Sequence, residues 1–159
     1  LHRVDRRQRQ MCIRDRVDVV LFDTPPTPSL LHGSIYIATD AVIYPTKLEA
    51  LSFDGLSESF QHREQSDIFR AQQGKAGITN MGIIPTMYNA STLEHRENLA
   101  DLRSNFGELV WEPIPTSTVW TEYTRLQRPV WTFAARTKAA AHAWDLVTHA
   151  EGALAYVGS

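Results

Sequence analysis

Cysteine is nearly absent from this sequence: Cys12 is the single thiol in 159 residues. One thiol closes no internal disulfide and builds no cysteine-cluster metal site. Long apolar runs are missing too, none approaching the ~18 residues that a membrane-spanning helix needs, and no secretory leader pattern is present. Six histidines are present, but no pair shows the i, i+4 spacing of a zinc-binding helix. No Ser/His/Asp set stands out as a nucleophilic centre. These absences argue against a disulfide-stapled secreted scaffold, an integral helical membrane protein and a zinc hydrolase. A cytoplasmic protein is the expectation.

What is present is an ordinary globular balance, 43% hydrophobic and 21% charged, in a chain long enough for one core. The net charge of −2 hides an asymmetry. Residues 1–16 carry six arginines against Asp5 and Asp15, a net +4, and the remainder carries −6. A basic arm of this kind suits nucleic acid. Yet the stretch has neither helical nor strand periodicity and stops abruptly where an apolar run begins, so it reads as a non-native scar outside the domain of residues 17–159.

From Val17 the pattern becomes legible. Val17–Phe22, ending at Asp23-Thr24-Pro25-Pro26, predicts a buried strand. A short helix follows over Pro28–Ile37, then a strand at Ala41–Tyr44 closed by Pro45, and a longer helix from Ser52 to about Gln72. Gly74–Gly77 punctuates the chain before a strand at Met81–Ile84. Ser91-Thr92-Leu93-Glu94 has the form of a capping box opening a helix that buries Leu93, Leu99, Leu102 and Phe106 and stops at Gly107. A fourth strand is expected at Leu109–Ile114, with helices at Ser117–Leu126 and Thr137–Ala150. Strands alternating with helices predict parallel βαβ units: a partial doubly wound α/β sheet covered on both faces. Ligands of such sheets sit at the carboxyl ends of the strands.

That geometry singles out Asp23. A carboxylate directly after a buried strand can hold Mg²⁺, or its coordinating water, beside nucleotide phosphates. The same residues can equally leave a sheet through a turn-forming sequence and do no chemistry. Both readings stand on the residues alone. Gly74-Lys75-Ala76-Gly77 is no phosphate loop, because Ile78 follows it and it precedes a strand instead of following one. Trp111, Trp120, Trp131 and Trp144 read as core or interface anchors.

The segment VDVVLFDTPPTPSLLHGSIYIATDAVIYPTKLEALSFDGL resembles the second nucleotide motif of the ParA-type partition ATPases and its sequel. MGIIPTMYNASTLEHRENLADLRSNFG and EPIPTSTVWTEYTRLQRPVWTFAARTKAAAHAW are similar to later parts of the same family, in order, from about Val17 to Leu154. The resemblance implies a P-loop NTPase-like fold, ATP and Mg²⁺ as cofactors, Asp23 as the catalytic and metal-site residue, and Thr24 and Pro25 as the adjoining switch segment. It places adenine against Thr86 and Met87 and against Pro115 and Thr116. Thr116 stands where many relatives carry arginine. The family also implies a homodimer around ATP, a ParB-type partner, association with the nucleoid and non-specific DNA binding. Arg125, Arg128, Arg136 and Lys138 are the DNA-contacting candidates; a solvated surface of ordinary basic content is the alternative that the acidic remainder favours.

The family's KGGxxKT phosphate loop and first switch aspartate have no counterpart in these residues. The chain therefore reads as the C-terminal part of such an ATPase, with no hydrolysis expected of it alone. Two other readings are a non-enzymatic DNA- or partner-binding module and a MinD-like regulatory ATPase. The short, unbasic tail 149–157 argues against a membrane-attached MinD relative.

Overall fold

The computed structural model describes residues 17–24 and 29–157, and the chain falls into two compact units, Leu1–Ile35 and Tyr36–Ser159. The arm of residues 1–16 and Pro25 lie outside the described residues.

In the first unit, the expected strand at Val17–Phe22 is not formed: Val17–Thr24 is irregular chain, with Leu21 88% exposed. An apolar run becomes a strand only when its N–H and C=O groups enter a ladder, and those of residues 17–22 enter none among the described residues. Helix α1, Leu30–Ala38, matches its expected place and extends into the second unit. Ser29 opens it by accepting the His32 N–H through its hydroxyl at 3.1 Å.

The second unit is a mixed α/β fold. Strand β1, Ala41–Lys47, pairs in parallel with β2, Thr79–Thr86, through the intervening helix α2, Ala50–Gln72. β1 runs through Pro45 instead of closing there. It is an edge strand among the described residues, where a missing N–H is tolerated. Along it, Tyr44, Thr46 and Leu48 are buried while Pro45 and Lys47 face solvent, the alternation of a strand with one covered face.

The turn from α2 to β2 is the one anticipated at Gly74–Gly77. Gly74 adopts φ +68°, and its N–H and that of Lys75 close on the Ala71 and Arg70 carbonyls. Asp67 pins the start of β2 by accepting the Ile78 N–H at 2.7 Å while paired with Arg63.

Helix α3, Leu93–Phe106, stops at Gly107 as expected, but its start differs. Thr92 is the N-cap and makes no side-chain cap bond, whereas the Ser91 hydroxyl turns back to Asn89 Oδ1 at 2.8 Å. The Asx turn at Asn89 competes for the same serine and wins. Leu93, on the solvent side of the first turn, is 58% exposed instead of buried.

The expected fourth strand is also reduced. Gly107–Leu109 is a 3-10 turn, and among the described residues the chain beyond forms no ladder but isolated parallel bridges, Val110 to Ile83 of β2 and Pro115 to Tyr88 just after it. Pro113 and Pro115 remove two ladder donors from this segment, so the bonds that remain come from Trp111 N–H to Ile83 (2.9 Å) and Ile114 N–H to Pro85 (2.8 Å).

Helices α4 (Thr118–Leu126), α5 (Val130–Phe133) and α6 (Lys138–Leu154) complete the unit. Ser117 and Thr137 cap α4 and α6 through their hydroxyls. The main core gathers Tyr44, Leu48, Leu56, Ile83, Leu99 and Leu102, with Phe60 stacked between Tyr44 and Phe106. A smaller cluster of Val130, Ala139 and Ala140 holds α4, α5 and α6 together.

Candidate functional site

Parallel strands end on the same side, and here that side gathers the four residues against which the resemblance sets the base. Thr86 ends β2 and ties it to β1, its hydroxyl donating to the Thr46 carbonyl at 3.1 Å. Met87 follows with φ +54°, a left-handed conformation that a non-glycine residue adopts at a cost. It is 45% exposed.

The chain then knits onto the proline-rich segment. Tyr88 N–H donates to Ile114 O (2.9 Å), and Thr116 N–H returns the bond to Tyr88 O (2.9 Å). Trp120, in the first turn of α4, donates its indole N–H to Pro115 O at 3.0 Å. Thr86, Met87, Pro115 and Thr116 are thus brought to one end of the sheet. The Thr116 hydroxyl sits 3.4 Å from the Tyr88 carbonyl and serves the backbone.

Beside these residues is an open groove of about 420 Å³ lined by Met87, Trp120, Thr121, Thr124 and Arg125. Sequence reasoning did not name Thr121 and Thr124 and assigned Trp120 to packing. The available signal was spacing: Trp120 and Thr124, like Thr121 and Arg125, are four apart and share one face of a helix. A thioether, an indole and two hydroxyls make a lining suited to a flat heterocycle with polar edges.

Asp23 belongs to the first unit. It is exposed and makes no hydrogen bond or ion pair among the described residues. Thr24 beside it is half-buried. No group of three or more His, Cys, Asp or Glu converges among the described residues. Arg125, Arg128, Arg136 and Lys138 are all exposed, and none of their side chains has an internal partner among the described residues.

A family model described as an AAA domain matches residues 6–68. The chromosome-partitioning ATPase Soj of Thermus thermophilus is 32% identical over 103 residues, covering 62% of this chain and 38% of Soj. The chromosome partitioning protein ParA of Caulobacter vibrioides is 26% identical over 117 residues, covering 70% of this chain and 40% of that protein. In sequence the chain is similar to the ParA-like P-loop ATPases. An uncharacterized protein of Mycobacterium tuberculosis is 33% identical over 130 residues, covering 80% of this chain and 39% of its own length. The chain thus spans about two fifths of the length of these relatives.

For a ParA-like chain the implied ligands are ATP and Mg²⁺, and the residues fit them unequally. The groove beside Met87 and Trp120 fits the base by its chemistry. Asp23 offers one carboxylate, which can hold Mg²⁺ only together with phosphate and water oxygens. A nest of backbone N–H groups able to cradle phosphates is not present at Gly74–Gly77, where the N–H groups of Gly74 and Lys75 are spent on the turn. Among the described residues no helix is long and apolar enough to cross a membrane.

Proposed function

We propose that this chain forms the base-binding side of the ATP site of a ParA-like partition ATPase, with Asp23 contributing to Mg²⁺ through water. The observation that carries the reading is the convergence of Thr86–Tyr88 and Ile114–Thr116 beside the groove of Met87 and Trp120. In the whole protein the nucleotide would drive homodimerisation and hydrolysis, stimulated by a ParB-type partner. Arg125, Arg128, Arg136 and Lys138 would contact DNA phosphates, since exposed cations without internal partners suit a polyanion.

The test uses Trp120 as reporter. Adenosine and ATP should quench its emission alike, with a dissociation constant of about 1 mM, because base contacts alone supply only about 4 kcal/mol. Uridine should not saturate, and the Trp120→Phe chain should lose the signal. The 159 residues should show no Mg²⁺-dependent turnover. Quenching by uridine equal to that by adenosine, or none by either, would remove the base site.

A further inference from the structure

We propose that the stacked pair Trp131–Trp144 is a platform for unpaired bases of a single-stranded nucleic acid, with Arg128 and Arg136 holding the flanking phosphates. The two indoles lie 5.4 Å apart at 29° and are 40% and 53% exposed. The other two tryptophans are engaged internally: Trp111 donates to Met81 O and Trp120 to Pro115 O. The indole N–H groups of Trp131 and Trp144 have no acceptor among the described residues. Large flat rings left half in water, polar edges unspent, are costly unless something covers them.

The charge around them says what covers them. From Thr118 to Trp144 the only acidic residue is Glu122, against Arg125, Arg128, Arg136 and Lys138, while residues 17–159 as a whole carry −6; Asp145, next to Trp144, is the nearest opposing charge in sequence. Among the described residues Arg63 is occupied by Asp67, Arg103 by Glu112 and Arg70 by backbone carbonyls. The four here are not. Arg128 is three residues before Trp131, and Arg136 lines a recess with Thr132, the next residue along.

A duplex needs only the cations, because its bases are already stacked. Exposed aromatic faces add affinity where bases are free to stack on them, about 1–3 kcal/mol per base. The combination therefore fits a single strand. This rests on the phosphate-contacting part of the function proposed above but needs no nucleotide site. Lost adenosine quenching with retained strand binding would sink that site and leave this platform standing.

The experiment titrates the full chain with a 15-nucleotide oligo-dT, a duplex of the same length and poly-L-glutamate, reading tryptophan emission and anisotropy of labelled ligand. Oligo-dT should quench and bind at least about tenfold more tightly than the duplex, and poly-L-glutamate should neither quench nor compete. Trp131→Ala and Trp144→Ala should each weaken oligo-dT about tenfold and the duplex hardly at all, the difference corresponding to one stacked base. Trp131→Phe and Trp144→Phe, which preserve a ring, should stay within about threefold of the parent, and Arg128→Gln with Arg136→Gln should weaken both nucleic acids. Equal affinity for duplex and single strand would overturn the proposal. So would binding of poly-L-glutamate with the same tryptophan dependence, or phenylalanine variants as damaged as the alanine ones.

Discussion

Trp111 lies flat against Gly82: a Cβ built on that glycine would stand 2.0 Å from the indole Nε1. The indole donates to the Met81 carbonyl at 3.1 Å, is 4% exposed, and carries the His149 ring at 4.2 Å on α6. One tryptophan thus joins the proline-rich segment, β2 and the last helix. The absence of a side chain at position 82 is what lets it lie there.

Gly82→Ala should therefore destabilise the chain by about 3 kcal/mol or more, the upper range for overpacking, since neither the strand backbone nor an indole bonded at its N–H gives way cheaply. Urea titration followed by far-UV circular dichroism reads the loss. Adding Trp111→Val to Gly82→Ala should recover part of it, because the clash goes with the ring. A double variant no better than the more damaged single one would show that the contact is not the cause.

Tyr44 gives the fold a pH limit on the alkaline side. Burial pushes its phenol well above the usual value of 10.0, with Tyr36 adding to the rise and Arg63 opposing it, and the hydroxyl donates to Asn80 Oδ1 at 3.0 Å. The folded state holds this proton more tightly than the unfolded chain does. Its stabilising effect is complete below pH 10 and is lost as pH rises above 10 toward the folded value. Thermal midpoints should stay level from pH 7 to 9 and fall beyond pH 10. Tyr44→Phe should fall less steeply there, even though it starts lower for want of the Asn80 bond.

Gln127 ends α4 in the left-handed region, φ +50° and ψ +39°, its N–H closing on the Tyr123 carbonyl. A side chain there costs about 1 kcal/mol that glycine does not incur, part of it offset by glycine's freer unfolded state. Gln127→Gly should raise stability by about 0.5 kcal/mol with no change in adenosine binding. Met87→Gly relieves the same kind of strain at φ +54°, but it removes a wall of the groove, so it should stabilise the fold and weaken adenosine. Equal effects of the two substitutions on binding would detach Met87 from the site.

Much of this was legible in the residues. Helices α2, α4 and α6 and strands β1 and β2 were legible as apolar segments set between turn residues, while the capping by Ser117 and Thr137 emerged only in the structure. The carboxyl-end cluster followed from strand order, because parallel strands with helical crossovers must end together. The failures share a cause. Val17–Phe22 has strand composition, yet a strand is a pairing and not a composition. Leu109–Ile114 looked continuous, but its prolines subtract ladder donors that only the partner strand reveals as needed. Thr121 and Thr124 are unremarkable helical residues until α4 is set beside Met87. The capping box failed because Asn89, two residues upstream, offers Ser91 a nearer partner.

Arg70 is 5% exposed and, among the described residues, pairs with no carboxylate and is held by backbone. Nε donates to Ala76 O at 2.8 Å, and Nη1 donates to Ile37 O at 2.8 Å and Thr39 O at 2.7 Å. Ile37 and Thr39 are at the end of α1, where carbonyls lack helical partners, and Ala76 lies in the turn leading into β2. A guanidinium is the one side chain with enough fixed donors to serve all three at once. Arg70→Met keeps the volume but withdraws the guanidinium donors from three carbonyls, and at about 1–3 kcal/mol for each buried group that loses its partner the loss should reach about 3–5 kcal/mol. Arg70→Lys should lose nearly as much, since one ammonium on a flexible stem cannot reach both sides of the turn. Hydrogen exchange separates this from a general loss of packing. Amides of residues 36–39 and 75–79 should lose protection in Arg70→Lys while those of α6 keep theirs. Uniform loss across both sets would mean that Arg70 acts through bulk alone.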